Sequence, residues 1–174
     1  MSANASPAAI APLSEATRER FAREVAKYPQ GQQQSAVMAC LSIVQQEQGW
    51  VSPESEVAIA AYLDMPPIAV HEVTSFYNMY NQRPVGQYKL AVCTNLPCQL
   101  RGGQAALEYL EQKLSLKAGE TSADGRFTLQ QCECLGACAD APVMLVNDRT
   151  MCSFMSDDKL RQLVDGLNQT EGAQ

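Results

Sequence analysis

In the first half of the chain, apolar positions recur every three or four residues, the period of a helix with one buried face. Ser14 is placed to cap a first helix carrying Phe21, Val25 and Tyr28 on one face and stopping before Pro29. Val37, Cys40, Leu41 and Val44 follow the i, i+3, i+4, i+7 pattern of a second helix, and Gly49 supplies its stop. Ser52-Pro53-Glu54 reads as a cap followed by proline at the first helical position, opening a third helix with Val57, Ile59, Ala60 and Leu63. Pro66-Pro67 breaks it, and Ile68, Val70, Val73 and Tyr77 predict a fourth.

Around Asn81-Gln82-Arg83-Pro84-Val85-Gly86 the period changes to two. Tyr88, Leu90 and Val92 alternate with Lys89 and Ala91 in a strand that runs straight into Cys93. Gly102-Gly103 opens a helix bearing Ala106, Leu107, Leu110 and Leu114, and a polar loop with Asp124-Gly125 leads to a strand around Phe127 and Leu129. A loop over 132–142 precedes a buried strand from Val143 to Val146. Asn147 to Thr150 turns the chain into a strand from Met151 to Phe154, and Ser156 caps a last helix with Leu160, Leu163, Val164 and Leu167. The order β-α-β-β-β-α predicts an α/β unit, a small sheet covered by helices, behind a helical first half. No internal repeat or low-complexity segment interrupts it.

Composition narrows the function. A hydrophobic content of 46% builds a real core, and a net charge of −6 with no basic run gives nucleic acid no footprint. Val57 to Leu63 is among the longest apolar runs and falls far short of the ~18 residues a spanning helix needs, so direct membrane insertion is not expected. The first thirteen residues read as a disordered lead with no signal or transit pattern, which predicts a cytoplasmic chain if it is bacterial. Seven cysteines then stand out, because the count is odd and a reducing compartment disfavours structural disulfides.

Four of the seven form a constellation. Cys93 and Cys98 are spaced C-x4-C after the first strand, Cys134 and Cys138 C-x3-C after the second, with thirty-five residues between the pairs. That interval holds a helix and a strand, enough to bring both loops to one end of the sheet, as an iron–sulfur cluster requires. Counting removes other chemistries. No C-x2-C occurs, which excludes plant-type ferredoxin and thioredoxin motifs, and a single histidine, His71, cannot furnish a Rieske pair. Zinc usually takes closer knuckles, so it stays open as a less fitting alternative. Gly102, Gly103 and Gly136 allow close backbone approach. Leu96, Pro97, Leu135 and Ala137 are expected to shield the site, and Arg101 is the one basic residue in its loops. Cys132 competes with Cys134, although spacing favours Cys134 with Cys138. Cys40 and Cys152 read as buried packing thiols and His71 as a surface or packing residue.

The segments Cys93-Thr94-Asn95-Leu96-Pro97-Cys98, Gly102-Gly103 and Glu133-Cys134-Leu135-Gly136-Ala137-Cys138 resemble the small iron–sulfur subunit family of respiratory complex I, the bacterial NADH:quinone oxidoreductase. The likeness extends upstream through Gln48-Gly49-Trp50-Val51, Glu72 to Tyr77 and Pro84-Val85-Gly86, and so spans roughly residues 32–166. It implies a thioredoxin-like [2Fe–2S] ferredoxin domain preceded by an all-α N-terminal domain. The expected boundaries are a lead over 1–13, the helical domain over 14–83, the cluster domain over 84–167 and a flexible tail over 168–174. The resemblance further implies that Cys93 and Cys98 hold one iron of a [2Fe–2S] cluster and Cys134 and Cys138 the other; Cys132 stands where the family usually has another residue.

The implied partner is the flavin- and NADH-binding subunit, which would carry FMN and NADH and pass single electrons to this chain. This agrees with the absence of G-x-G-x-x-G and P-loop motifs here. Trp50, Tyr77 and Tyr80 are candidate docking anchors. No residue is nominated as acid, base or nucleophile. The family also implies a place at the cytoplasmic face of the membrane, in the peripheral arm. Two alternatives stand: the equivalent subunit of an NAD-reducing hydrogenase or NAD-linked formate dehydrogenase, and a zinc-stabilised scaffold without redox role.

Overall fold

Ser14 and Ser52 start two of the helices with side-chain caps. The computed structural model describes residues 13–169, in two compact units that meet in sequence between Pro84 and Val85. In the first unit, Ser14 Oγ accepts from the Thr17 amide and starts α1 (Glu15–Val25). A 3-10 turn over Gln33–Ala36, which has no signature in the sequence, leads into α2 (Val37–Gln48), and Gly49 closes that helix at φ +80°. Ser52 caps α3 (Pro53–Leu63), with Pro53 where its missing N–H costs nothing, and α4 (Pro67–Phe76) follows the proline pair. Phe21, Cys40, Leu41, Val44, Ile59, Leu63 and Val70 form the core of this unit.

The expected face of α4 is partly corrected. Ile68 is 63% exposed, and Tyr77 lies past the helix end in an extended conformation. Tyr28 likewise falls beyond α1 and is exposed. Tyr80 is no docking anchor: it is buried, and its hydroxyl donates to the Met38 carbonyl at 2.9 Å.

In the second unit, β1 (Tyr88–Cys93) and β2 (Phe127–Cys132) run parallel, joined through the short α5 (Leu96–Leu100) and the longer α6 (Gly103–Leu114). β3 (Met144–Val146) pairs antiparallel with β1, and β4 (Thr150–Cys152) with β3, giving the sheet order β2-β1-β3-β4. Asn147 and Asp148, both at positive φ, make the tight hairpin between β3 and β4. The last helix, α7 (Asp157–Gln169), starts at Ser156, whose carbonyl accepts from Leu160. Leu90, Val92, Leu107, Leu110, Leu129, Met144, Leu160 and Val164 build the core between one sheet face and the helices α6 and α7.

Three expectations change. Lys89 and Ala91 are buried like their neighbours, because β1 is a central strand and the hairpin folds back on it. Asn147 exchanges hydrogen bonds with the Lys89 backbone, and Asp148 pairs with Lys89 Nζ at 3.0 Å. The final strand is Thr150–Cys152, ending before Phe154, which turns to φ +54° and donates its N–H to the Asp140 carbonyl. Of the expected tail, Asn168 and Gln169 belong to α7 and the rest lies outside the described residues. The expected lead lies outside them too, except Leu13, which packs on the first core. Among the described residues no helix is long and apolar enough to cross a membrane.

Candidate metal centre

Parallel pairing makes the loops after β1 and β2 leave from the same end of the sheet. Register sets Cys93 directly beside Cys132, and the Thr94 N–H donates to the Cys132 carbonyl at 3.2 Å.

Cys93 is the last residue of β1 and Cys98 lies within α5. Each is 1% exposed, and both pack with Ala141 and Val143. The start of α6 presses on this pair so closely that a Cβ on Gly103 would sit 2.6 Å from the Cys93 carbonyl oxygen and 2.9 Å from that of Cys98. Only glycine permits the approach. It brings the N-terminus of a twelve-residue helix against the backbone of both buried cysteines.

The second pair is held differently. Cys134 is exposed in the loop after β2, and Cys138 starts a 3-10 turn (Cys138–Asp140). Their sulfurs are 4.0 Å apart, and the Gly136 N–H donates to Cys134 Sγ at 3.4 Å. Leu135 and Ala137 pack against the buried cysteines, whereas Leu96, expected to shield the site, is 63% exposed.

The thiols disfavour one another's ionisation. Burial pushes the Cys98 thiol up, followed by its hydrogen bond with Cys93 and the nearby Cys93 and Cys138 charges. Cys138 is raised by its hydrogen bond with Cys134, then by desolvation and by the Cys134 and Cys93 charges. Cys132 is pushed up to about 12, by burial first and Cys93 second. Thiols that raise one another in this way become a stable thiolate set only when cations sit among them, since a bound metal deprotonates its thiols outright.

The donor set fits a [2Fe–2S] cluster. Two thiolates on one tetrahedral metal at bond lengths of ~2.3 Å stand roughly 3.8 Å apart, close to the Cys134–Cys138 separation of 4.0 Å. A single zinc ion needs its donors gathered about one point, and among the described residues no three Cys, His, Asp or Glu side chains gather so. The cysteines come instead as two pairs, the division a binuclear cluster uses.

All four cysteines singled out from the sequence lie at this end of the sheet, as two pairs. Cys40 is buried in the first unit with its thiol pushed up to about 12, Cys152 packs on the second core, and His71 pairs with Glu56 at 3.0 Å. Sequence reasoning missed two bonds between the cysteine loops, Gln131 Nε2 to Thr94 Oγ1 at 2.6 Å and Asn95 Nδ2 to Glu133 Oε2 at 3.0 Å. Their only trace in the sequence is a polar residue beside each cysteine loop.

The sequence matches the thioredoxin-like [2Fe–2S] ferredoxin profile over residues 21–168. The chain belongs to the thioredoxin-like [2Fe–2S] ferredoxin family. It is 41% identical over 142 residues to NADH-quinone oxidoreductase subunit 2 of Thermus thermophilus, covering 82% of this chain and 78% of that protein. With an NADH-quinone oxidoreductase subunit of Rickettsia conorii it shares 39% over 144 residues, covering 82% and 86%. The fold also superposes on an NAD+-reducing [NiFe]-hydrogenase with a TM-score of 0.66 at 20% identity, covering 76% of this chain and 23% of that one. A ferredoxin of this family carries a [2Fe–2S] cluster, and the expected cofactor stands.

Proposed function

We propose that this ferredoxin is the electron-transfer subunit of an NADH:quinone oxidoreductase, taking single electrons from the flavin of an NADH-binding partner subunit. The observation that carries the reading is the meeting of two cysteine pairs at one end of a parallel strand pair, in a chain 37–41% identical to named quinone oxidoreductase subunits. The hydrogenase likeness, at 19–20% identity, supports the fold alone, so the quinone oxidoreductase context is preferred.

In this reading Cys93 and Cys98 hold one iron and Cys134 and Cys138 the other, with Cys132 outside the ligand set. When bound, a [2Fe–2S] cluster takes up and releases one electron at a time. The chain's own residues prepare the site. The α6 N-terminus offers positive potential beside the buried pair, and the Gly136 N–H donates to Cys134 sulfur, both of which favour the added negative charge of reduction. Ala141, Val143, Leu135 and Ala137 limit water on the Cys93–Cys98 side. FMN and NADH belong to the partner.

The helical residues 14–83 form a domain of their own, which serves with residues 84–167 in a peripheral arm at the cytoplasmic face of the membrane. Of the expected docking anchors Tyr77 is exposed and Trp50 half-buried, and exposed Phe76 joins them as a candidate. The test is a spectrum of anaerobically purified protein before and after dithionite, with iron and sulfide counted. Two irons and two sulfides per chain with an S = 1/2 EPR signal on reduction support the reading. A colourless, EPR-silent protein after reconstitution, holding zinc instead, refutes it.

A further inference from the structure

The two cysteine loops part company after the Thr94–Cys132 backbone bond, and side chains continue the link beyond it. Asn95 occupies the N-cap position of α5 at φ −61° and ψ 158°, where an asparagine side chain ordinarily accepts from the first helical amides. Here it makes no such bond. Its amide reaches across to Glu133 at 3.0 Å instead, beside the Gln131–Thr94 bond at 2.6 Å. Asn95 lies between Cys93 and Cys98, and Glu133 precedes Cys134, so this bond is the link between the loops that reaches furthest toward the second cysteine pair.

The chemistry of the pair is lopsided. Asn95 is a neutral amide, and Glu133, the residue before Cys134, is an acid. A negative charge near a centre that gains an electron makes that gain harder.

We propose that Asn95 and Glu133 are positioning residues for the cluster, their bond fixing the separation of the two cysteine loops while the Glu133 charge holds the reduction potential down. The role rests on the cluster reading above. Asn95 is half-buried and Glu133 exposed, so screening keeps the electrostatic part modest.

Wild-type, Glu133→Gln, Glu133→Ala and Asn95→Ala full-length chains, reconstituted anaerobically, separate the two parts. Each is followed by iron and sulfide count, EPR g values, iron release to a chelator and redox titration. Glu133→Gln leaves Asn95 an acceptor and removes the charge. Its g values and iron release match wild type, and its reduced-to-oxidised ratio at a fixed potential rises roughly threefold to tenfold, tenfold being about 59 mV for one electron. Asn95→Ala keeps the charge and cuts the bond, so g values shift and iron release quickens several-fold without a rise in that ratio. Should Asn95→Ala fail to fold, Glu133→Ala cuts the same bond from its exposed side. An unchanged ratio in Glu133→Gln together with wild-type iron release in the bond-cutting variants overturns the proposal. Wild-type protein that takes up no iron and sulfide fails at an earlier point, overturning the cluster reading and the strap with it.

Discussion

The two cysteine pairs have the same chemistry and opposite surroundings. Cys93 and Cys98 are closed off by Ala141, Val143 and the start of α6, while Cys134 is exposed on a loop and Cys138, at the start of a 3-10 turn, is half-buried. The first pair is made by the fold: its position follows from strand register and from a glycine contact that would exist without any metal. The second is made by a loop whose sulfurs are kept close by one turn and one glycine amide. A cluster bound across them therefore has one rigid and one adaptable wall.

The strongest attack on this contrast is Gly103→Ala. Alanine favours a helix over glycine by about 1 kcal/mol, but its Cβ meets two carbonyl oxygens under 3 Å away, and such overpacking costs ~1–3 kcal/mol or more. The clash is expected to dominate, lowering stability in chemical denaturation and emptying the site of iron. A variant with wild-type stability and full iron would show that the rigid wall is not rigid.

Serine substitution is expected to divide the pairs next. At all four positions the cluster should be lost or distorted, yet the cluster-free chain should lose ~1 kcal/mol or more for Cys93→Ser or Cys98→Ser and within ~0.5 kcal/mol for Cys134→Ser or Cys138→Ser. Serine at Cys132, Cys40 or Cys152 should leave the EPR signal intact. Loss of the signal in Cys132→Ser with its survival in Cys134→Ser would reassign the ligands.

Alkylation of the cluster-free chain sharpens the contrast without mutation. The thiolate is the reactive form, so at pH 8 a thiol of pKa about 12, such as Cys40 or Cys132, presents roughly one thiolate in ten thousand. Exposed Cys134 should be labelled first and those two last, with their rates climbing about tenfold per pH unit toward pH 10. Mass spectrometry of quenched samples reads the order. The smallest effect is expected from Leu135→Ala, which thins the cover between the walls and should quicken bleaching of the cluster in air by a factor of ~2, followed by visible absorbance.

Much of this architecture was legible in the chain. Ser14, Ser52 and Gly49 announced helix ends because their side chains, or the lack of one, perform the capping locally. The Cys93 and Cys134 loops were legible because spacing survives folding. What escaped depends on partners far off in sequence. The burial of Lys89 depends on Asn147 and Asp148, nearly sixty residues on, which fold onto it. α5 is five residues long, too short to show a period, and Phe154 leaves the strand for a carbonyl on the Cys138 turn. Likewise Asn95 carries no sign that its amide is claimed by Glu133 in place of its own helix.

The parallel run of β1 and β2 also lays out a ruler. Both strands begin near the Asp124-Gly125 turn and end at the cysteines, and six residues at about 3.3 Å each place that turn roughly 20 Å from the metal-binding end. A spin label or small fluorescent insert at 124–125 would thus ride on the same rigid frame while staying clear of the chemistry, and could report by distance-dependent quenching whether a paramagnetic centre is present at the far end.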